Sequence, residues 1–220
     1  ALNAALEEMA QELPEGGTGF VDVYLTADSY EGTIVIPEEF ITRDSYELTL
    51  MSIMPTDRTA IIGGIDLNNS RASVRDLDFI APDSGSETKA IWNGCSTTVQ
   101  NSSFQGYDVA IDASVNTINP RYCVFVDNVV AARIDLPEST NYSARNDWYN
   151  NVFINNGTAV QVLGLNEFVS PYYFRITGSN FVGNSVAFDV RCEGTVYFYR
   201  NYYGEVKNNA QGMTASQILE

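Results

Sequence analysis

The stretch Val152–Val160, VFINNGTAV, constrains this chain most, because the chain repeats it. It lies over 181–188, 104–111 and 125–132, and each copy has a phenylalanine followed six places later by an alanine: Phe104 and Ala110, Phe125 and Ala131, Phe153 and Ala159, Phe181 and Ala187. Five places before each phenylalanine stand Val99, Pro120, Trp148 and Ile176. Two looser copies extend the phase to Phe79, with Val74 before it, and to Tyr203, with Phe198 before it. The phase positions 79, 104, 125, 153, 181 and 203 are separated by 25, 21, 28, 28 and 22 residues. A constant short core with variable spacing is the pattern of a solenoid whose loops differ from coil to coil. Each unit is too small to bury its own apolar face, so neighbours must stack.

Within a unit the apolar residues alternate. Thr97 and Val99 point inward with Gln100 outward, and the same holds for Phe174, Ile176 and Thr177, and for Val196, Phe198 and Tyr199. Alternation of this kind predicts strand. Asn101, Asn128, Asn150, Asn151, Asn155, Asn156 and Asn184 fall between the short strands. Asparagine tolerates left-handed backbone and bonds nearby main chain, which suits sharp corners. The pattern predicts an all-β chain, a parallel β-helix of about seven to eight coils. The single domain is expected to comprise a capping helix over 1–13, coils over 20–206 and a C-terminal tail or cap over 207–220.

The coil has the form V-x-N-x-x-F-x-x-N-x-x-A-I at 99–111, where Tyr107 stands in the second Asn place, with relatives at 148–160 and 176–188. The chain closes its repeats on Asn201-Tyr202-Tyr203-Gly204. These features resemble the right-handed parallel β-helix of the pectate-lyase-like superfamily, whose modules often end on Asn-Tyr-Trp-Gly. The resemblance covers nearly the whole chain and implies that architecture. It implies little about activity, since the fold hosts lyases, hydrolases, esterases, adhesins and inert stalks.

At the N-terminus, Leu2, Leu6, Met9 and Leu13 share one face of a predicted helix, and Pro14 stops it. A helix laid across the open end of the first coil is the usual solenoid cap. After it, strands are expected over 20–25, 33–36, 46–53 and 60–65, with a turn over 27–32 and a bend at Gly63-Gly64. The acidic pairs Glu38-Glu39 and Asp76/Asp78 are expected at solvated turns. Insertions at 81–89, 135–145 and 164–173 interrupt the regular coils, and the last two precede the same strand of successive coils.

The net charge of −16 disfavours nucleic acid and anionic membrane as partners. No apolar run is long enough to span a bilayer, and no leader is recognisable. The abrupt start suggests a mature or excised module, expected outside the cell or at its surface beside other domains of a larger chain. The absence of histidine removes the commonest general base and zinc ligand. No cofactor is expected; Ca²⁺ is the one metal the acidity leaves open, although no Asp-x-Asp-x-Asp-Gly loop is present. Cys95 and Cys192 fall in one row with Val115 and Leu136, four coils apart, or roughly 19 Å at about 4.8 Å per coil. A disulfide needs Cα atoms within about 7 Å. Those two cysteines, and Cys123 in a different row, read as buried small hydrophobes.

Alternation also names an outward face. Four places before the phase residues stand Arg75, Gln100, Arg121, Tyr149, Thr177 and Tyr199; six places before stand Ser73, Thr98, Asn119, Asp147, Arg175 and Tyr197. Arg121, Asp147, Tyr149, Arg175, Tyr197 and Tyr199 form the candidate ligand-binding patch, since aromatics stack on sugar faces and arginine forks take carboxylates. Exposed tyrosines and ion-paired arginines are also ordinary features of β surfaces. Asp147, Arg121 and Arg175 are the only catalytic candidates. Asp112 and Asp189 share another row, with Arg133 and Gln161 between them. That places them three coils apart, roughly 14 Å, too far for paired carboxylate chemistry. The polygalacturonase motifs and the calcium-binding aspartate cluster of pectate lyases are missing. The expectation is a non-catalytic module of a secreted or surface protein, bacterial in character, that binds a polysaccharide or cell-surface glycan or serves as an adhesive scaffold. The alternative is a polysaccharide lyase or glycoside hydrolase acting on acidic polysaccharide.

Overall fold

The chain closes on itself once per repeat, and every coil contributes strands to the same ladders. The structure is a computed structural model that describes residues 1–14, 17–40, 46–54, 56–83, 86–94, 96–113, 118–135, 145–163, 173–191, 195–204, 208–211 and 218–219; side chains at 145, 146, 173, 195–197, 208–211 and 218–219 are not described. Among these residues one sheet has nine parallel strands: Phe20–Leu25, Glu47–Ser52, Ser73–Arg75, Thr97–Gln100, Ile118–Arg121, Arg145–Tyr149, Tyr173–Thr177, Thr195–Tyr199 and Ile218–Leu219, in chain order. The second sheet carries two rows. A short-strand row runs from Leu77–Ile80 through Ser103–Gln105, Val124–Val126, Val152–Ile154 and Asn180–Val182 to Tyr202–Gly204. A long-strand row runs from Lys89–Trp92 through Val109–Ala113, Val130–Asp135, Thr158–Leu163 and Val186–Arg191 to Asn208–Gln211. The rows meet on one continuous strand, Thr59–Asp66, which pairs with Leu77–Ile80 near its start and with Ile91–Trp92 at its end. The fold is a parallel β-helix.

The phenylalanine phase is the axis of the core. The rings of Phe79, Phe104, Phe125, Phe153 and Phe181 stack at centroid spacings of 4.8, 4.9, 4.9 and 4.8 Å, and Tyr203 follows at 5.4 Å. All five phenylalanines are fully buried. The ring spacing equals the strand spacing, so an in-register parallel ladder sets the stack directly. Ala110, Ala131, Ala159 and Ala187 are fully buried too, as the inward alternation requires.

Two kinds of polar residue make the corners. The first takes left-handed backbone. Asp76, Asn101, Tyr122, Asn150, Gly178 and Arg200 hold one position of successive coils, with φ between 50° and 64°. The second is a buried amide ladder. Asn156 Oδ1 accepts from the Asn128 backbone N–H at 3.0 Å, and Asn156 Nδ2 donates to the Phe125 carbonyl at 3.1 Å. Asn184 repeats this one coil on, taking the Asn156 N–H at 2.9 Å and donating to the Phe153 carbonyl at 2.8 Å. Tyr107 occupies the same place, and its hydroxyl donates to the Gly63 carbonyl at 2.7 Å. A parallel ladder joins Cys123, Asn151, Ser179 and Asn201 at the preceding corner. The asparagines expected to bond their own main chain thus divide. Asn101, Asn150 and Asn155 are left-handed corners, whereas Asn128, Asn151, Asn156 and Asn184 are buried and satisfy the main chain of the neighbouring coil, which water cannot reach.

The capping helix spans Leu2–Glu12, with Leu6 and Ala10 buried and Leu2, Met9 and Leu13 packed on the core. Asn3 extends the cap: its Nδ2 donates to the Thr33 carbonyl and its Oδ1 accepts from the Val35 N–H, at 2.9 and 3.0 Å. Strand Ser29–Val35 corrects the expected turn over 27–32. It bends at Gly32, φ 91°, stacked on Gly63, φ 140°, where a Cβ would fall 2.3 Å from the Gly32 carbonyl oxygen. The bend lets one strand turn a corner that later coils turn with a break. The ladders also continue past 206, since Asn208–Gln211 pairs with Val186–Asp189 and Ile218–Leu219 with Val196–Tyr197. Cys123 is free and buried; Cys95 and Cys192, with Val115 and Leu136, lie outside the described residues. No described helix is long and apolar enough to cross a membrane.

Ala159→Leu is expected to overpack the stack and lower unfolding free energy by about 1–3 kcal/mol in urea titration. Burial pushes the Cys123 thiol from 9.0 up to about 12. In the unfolded chain the thiol ionises from about pH 9, and in the native chain it does not, so its stabilisation is complete below that pH and is lost as pH rises toward 12. The slope is up to about 1.4 kcal/mol per pH unit. Cys123→Ala should therefore flatten the alkaline fall of stability.

Candidate functional site

The nine-stranded sheet brings the expected patch together. Register pairs Arg121 with Tyr149, Tyr149 with Thr177 and Thr177 with Tyr199. The neighbouring column pairs Asp147 with Arg175 and Arg175 with Tyr197. Inward neighbours hold these strands: Trp148 is buried and donates its indole N–H to the Ile118 carbonyl at 3.0 Å, and Ile176 and Phe198 are buried in register with it on the next two strands. Side chains between them must therefore stand outward.

Tyr149 is the centre of the patch. The Arg121 guanidinium lies 5.6 Å from its ring centroid and the Arg175 guanidinium 5.4 Å, so two cations flank one ring. Arg175 Nε donates to Asp147 Oδ1 at 2.8 Å, and its Nη2 donates to the Tyr149 hydroxyl. Partial burial opposes the Arg175 charge, but the Tyr149 hydroxyl and Asp147 outweigh it and its pKa is raised. Arg121 differs. Its Nε is buried and has no hydrogen-bond partner among the described residues. Tyr199 is about half exposed and lies under the Arg200 guanidinium at 4.8 Å. Tyr197 is in register with Arg175 through its backbone, and its side chain lies outside the described residues. So do most of the loops at 135–147 and 164–173, and with them the question of whether they wall a cleft.

The charged row on the other sheet is also as the spacing implied. Asp112 pairs with Arg133, Arg133 with Gln161 and Gln161 with Asp189. Asp189 is buried and held by Gln161 at 3.0 Å and by Arg191 at 2.8 and 2.9 Å. Asp112 is buried, 2.6 Å from Lys89 Nζ and 2.7 Å from Arg133 Nη2. The sequence had not pointed to Lys89 or Glu87 as members of this cluster. Its signal was present: Glu87 and Lys89 alternate just before the inward pair Ala90-Ile91. The length of the inserted loop hid which coil position they would meet. Beside the cluster an open groove of about 550 Å³ is lined by Glu87, Asp108, Val129, Val130 and Arg133.

These sites favour binding anions over moving protons. Asp147, Asp112 and Asp189 are each engaged by a cation, and Asp147 stands on a different sheet from Asp112 and Asp189, which are three coils apart. Among the described residues no cluster of three metal-ligating side chains is present. No protein-family model matches this sequence, and no curated protein matches it.

Proposed function

We propose that this chain is a non-catalytic parallel β-helix module of a larger secreted or cell-surface protein, and that its nine-stranded face binds acidic glycan. The observation that carries the proposal is the Arg121–Tyr149–Arg175 sandwich, in which the buried Arg121 Nε has no hydrogen-bond partner among the described residues. A buried donor without an acceptor costs stability. Arg121 is only part-buried, so the rest of its guanidinium can take a ligand carboxylate or sulfate, and its fork suits either. Charge placement supports the same reading. The chain carries −16, yet four of its 12 Lys and Arg residues, Arg75, Arg121, Arg175 and Arg200, sit on or at the corner of this one face. Neighbouring columns repeat every strand spacing of about 4.8 Å, so contacts recur along the axis as units recur along a linear polymer. The coil pattern, similar to that of the pectate-lyase-like superfamily, fits such a ligand, and a purely adhesive scaffold would use the same face.

The alternative, a lyase or hydrolase for acidic polysaccharide, draws on one observation: Arg121 and Asp147 lie on one face, a cation to neutralise a uronate beside a carboxylate. Against it, Asp147 is already bound by Arg175.

The test is binding of labelled oligogalacturonate and a sulfated glycosaminoglycan fragment, with turnover followed in the same samples. Arg121→Ala is expected to weaken binding about tenfold or more, some 1.4 kcal/mol, without lowering the melting temperature. Unchanged binding would remove the site from this face, and release of unsaturated or reducing ends would establish the enzyme reading.

A further inference from the structure

The groove on the opposite sheet carries a second and independent site. Beside it lies the buried Asp112 carboxylate, which fixes Lys89 Nζ at 2.6 Å and the groove-lining Arg133 through Nη2 at 2.7 Å and Nε at 3.3 Å. Two cations on one tightly held carboxylate leave one positive charge over at close range, which Asp135 offsets only from farther away. Glu87 answers it loosely: its carboxylate oxygens lie 3.7 Å from Lys89 Nζ and 3.7 Å from Arg133 Nη1. Those are ion-pair distances beyond hydrogen-bond reach. The Glu87 side chain is 54 % exposed, and such a pair is weak. By contrast the Asp112 side chain is 3 % exposed.

The rest of the groove supplies complementary chemistry. Its volume of about 550 Å³ suits a ligand of monosaccharide size. Val129, 60 % exposed, offers an apolar surface. Asp108 lines the groove with a carboxylate that is held in place: one oxygen, Oδ2, accepts both the Thr88 N–H at 2.9 Å and the Thr88 hydroxyl at 3.0 Å. Its other oxygen takes no hydrogen bond among the described residues, and it can accept from a hydroxyl. The same charge repels a second ligand carboxylate.

We propose that this groove binds a hydroxylated monocarboxylate of sugar-acid size, and that Glu87 is the internal carboxylate it displaces. The ligand carboxylate lies against Arg133, its apolar face against Val129, and one hydroxyl on Asp108. Removal of the internal competitor raises apparent affinity by the reciprocal of the fraction of time the site stands open.

The experiment follows the backbone amide signals of Val129 and Val130 by two-dimensional NMR on the full chain during titration with glucuronate, with glucose and cyclohexanecarboxylate as controls. Glucuronate is expected to saturate those shifts ahead of both controls. Glu87→Gln should tighten glucuronate binding roughly two- to tenfold, and Val129→Glu, an exposed change, should abolish it. Arg121→Ala on the other sheet should change nothing, which separates this site from the glycan face. The proposal fails if glucose shifts these signals as well as glucuronate does, if cyclohexanecarboxylate matches it, or if Glu87→Gln leaves affinity unchanged or lower.

Discussion

The amide ladder at the inner corners is the constraint on which this fold rests. A parallel β-helix buries main chain wherever it turns, and corner residues cannot join a sheet ladder. Asn128, Asn156 and Asn184 solve this by lending side-chain amides to the preceding coil, so each turn is hydrogen-bonded as if it were strand. Asparagine fits because one short side chain carries both an acceptor and a donor. With the turn fixed, the phase residue before it enters the core at one position in every coil, and the aromatic stack follows at strand spacing. Each ring pair adds roughly 0.5–1.5 kcal/mol beyond the area it buries. The corner amides thus hold the register, and the rings contribute stability once register is held.

Register in turn builds both sites. Because side chains alternate across a strand, an inward Trp148 forces Asp147 and Tyr149 outward, and one strand spacing brings Arg121 and Arg175 against Tyr149 from either side. On the other sheet the same rule sets Asp112 beside Arg133. Strand register alone positions the Arg121–Tyr149–Arg175 sandwich and the Asp112–Arg133 pair, while Glu87 comes from the inserted segment at 81–89. The scaffold is rigid in these positions, and the partners are cations with surplus donors. That combination suits holding an anion in place more than it suits general acid–base chemistry.

Much of this was legible in the chain. The phenylalanine phase, the inward alanines and the columns Arg121–Tyr149–Thr177–Tyr199 and Asp147–Arg175–Tyr197 followed from spacing alone, because in a regular solenoid equal offsets from the phase mean equal places in the coil. Three things were hidden for physical reasons. The start of Ser29–Val35 reads as part of a turn over 27–32 because it is polar and contains Gly32, and only its stacking on Gly63 shows that the glycine bends a continuous strand. The buried asparagines look like the left-handed ones, since the same side chain serves both corners. The Glu87–Lys89–Asp112–Arg133 cluster was obscured by a loop whose length breaks the offset count. The pairing of Arg175 with Asp147, and the absence of any such partner for Arg121 among the described residues, depended on side-chain direction, which spacing does not determine.

The most direct measurement of the corner-ladder account is the unfolding free energy of Asn156→Ala by urea titration. The substitution leaves the Asn128 N–H without a partner inside the core and removes one of the bonds to the Phe125 carbonyl, while removing little apolar volume. At about 1–3 kcal/mol for an orphaned buried donor, a loss of roughly 1–3 kcal/mol is predicted. A loss below about 0.5 kcal/mol, the size of an ordinary surface change, would show that the corner amides are incidental and that ring stacking alone holds the coils in register.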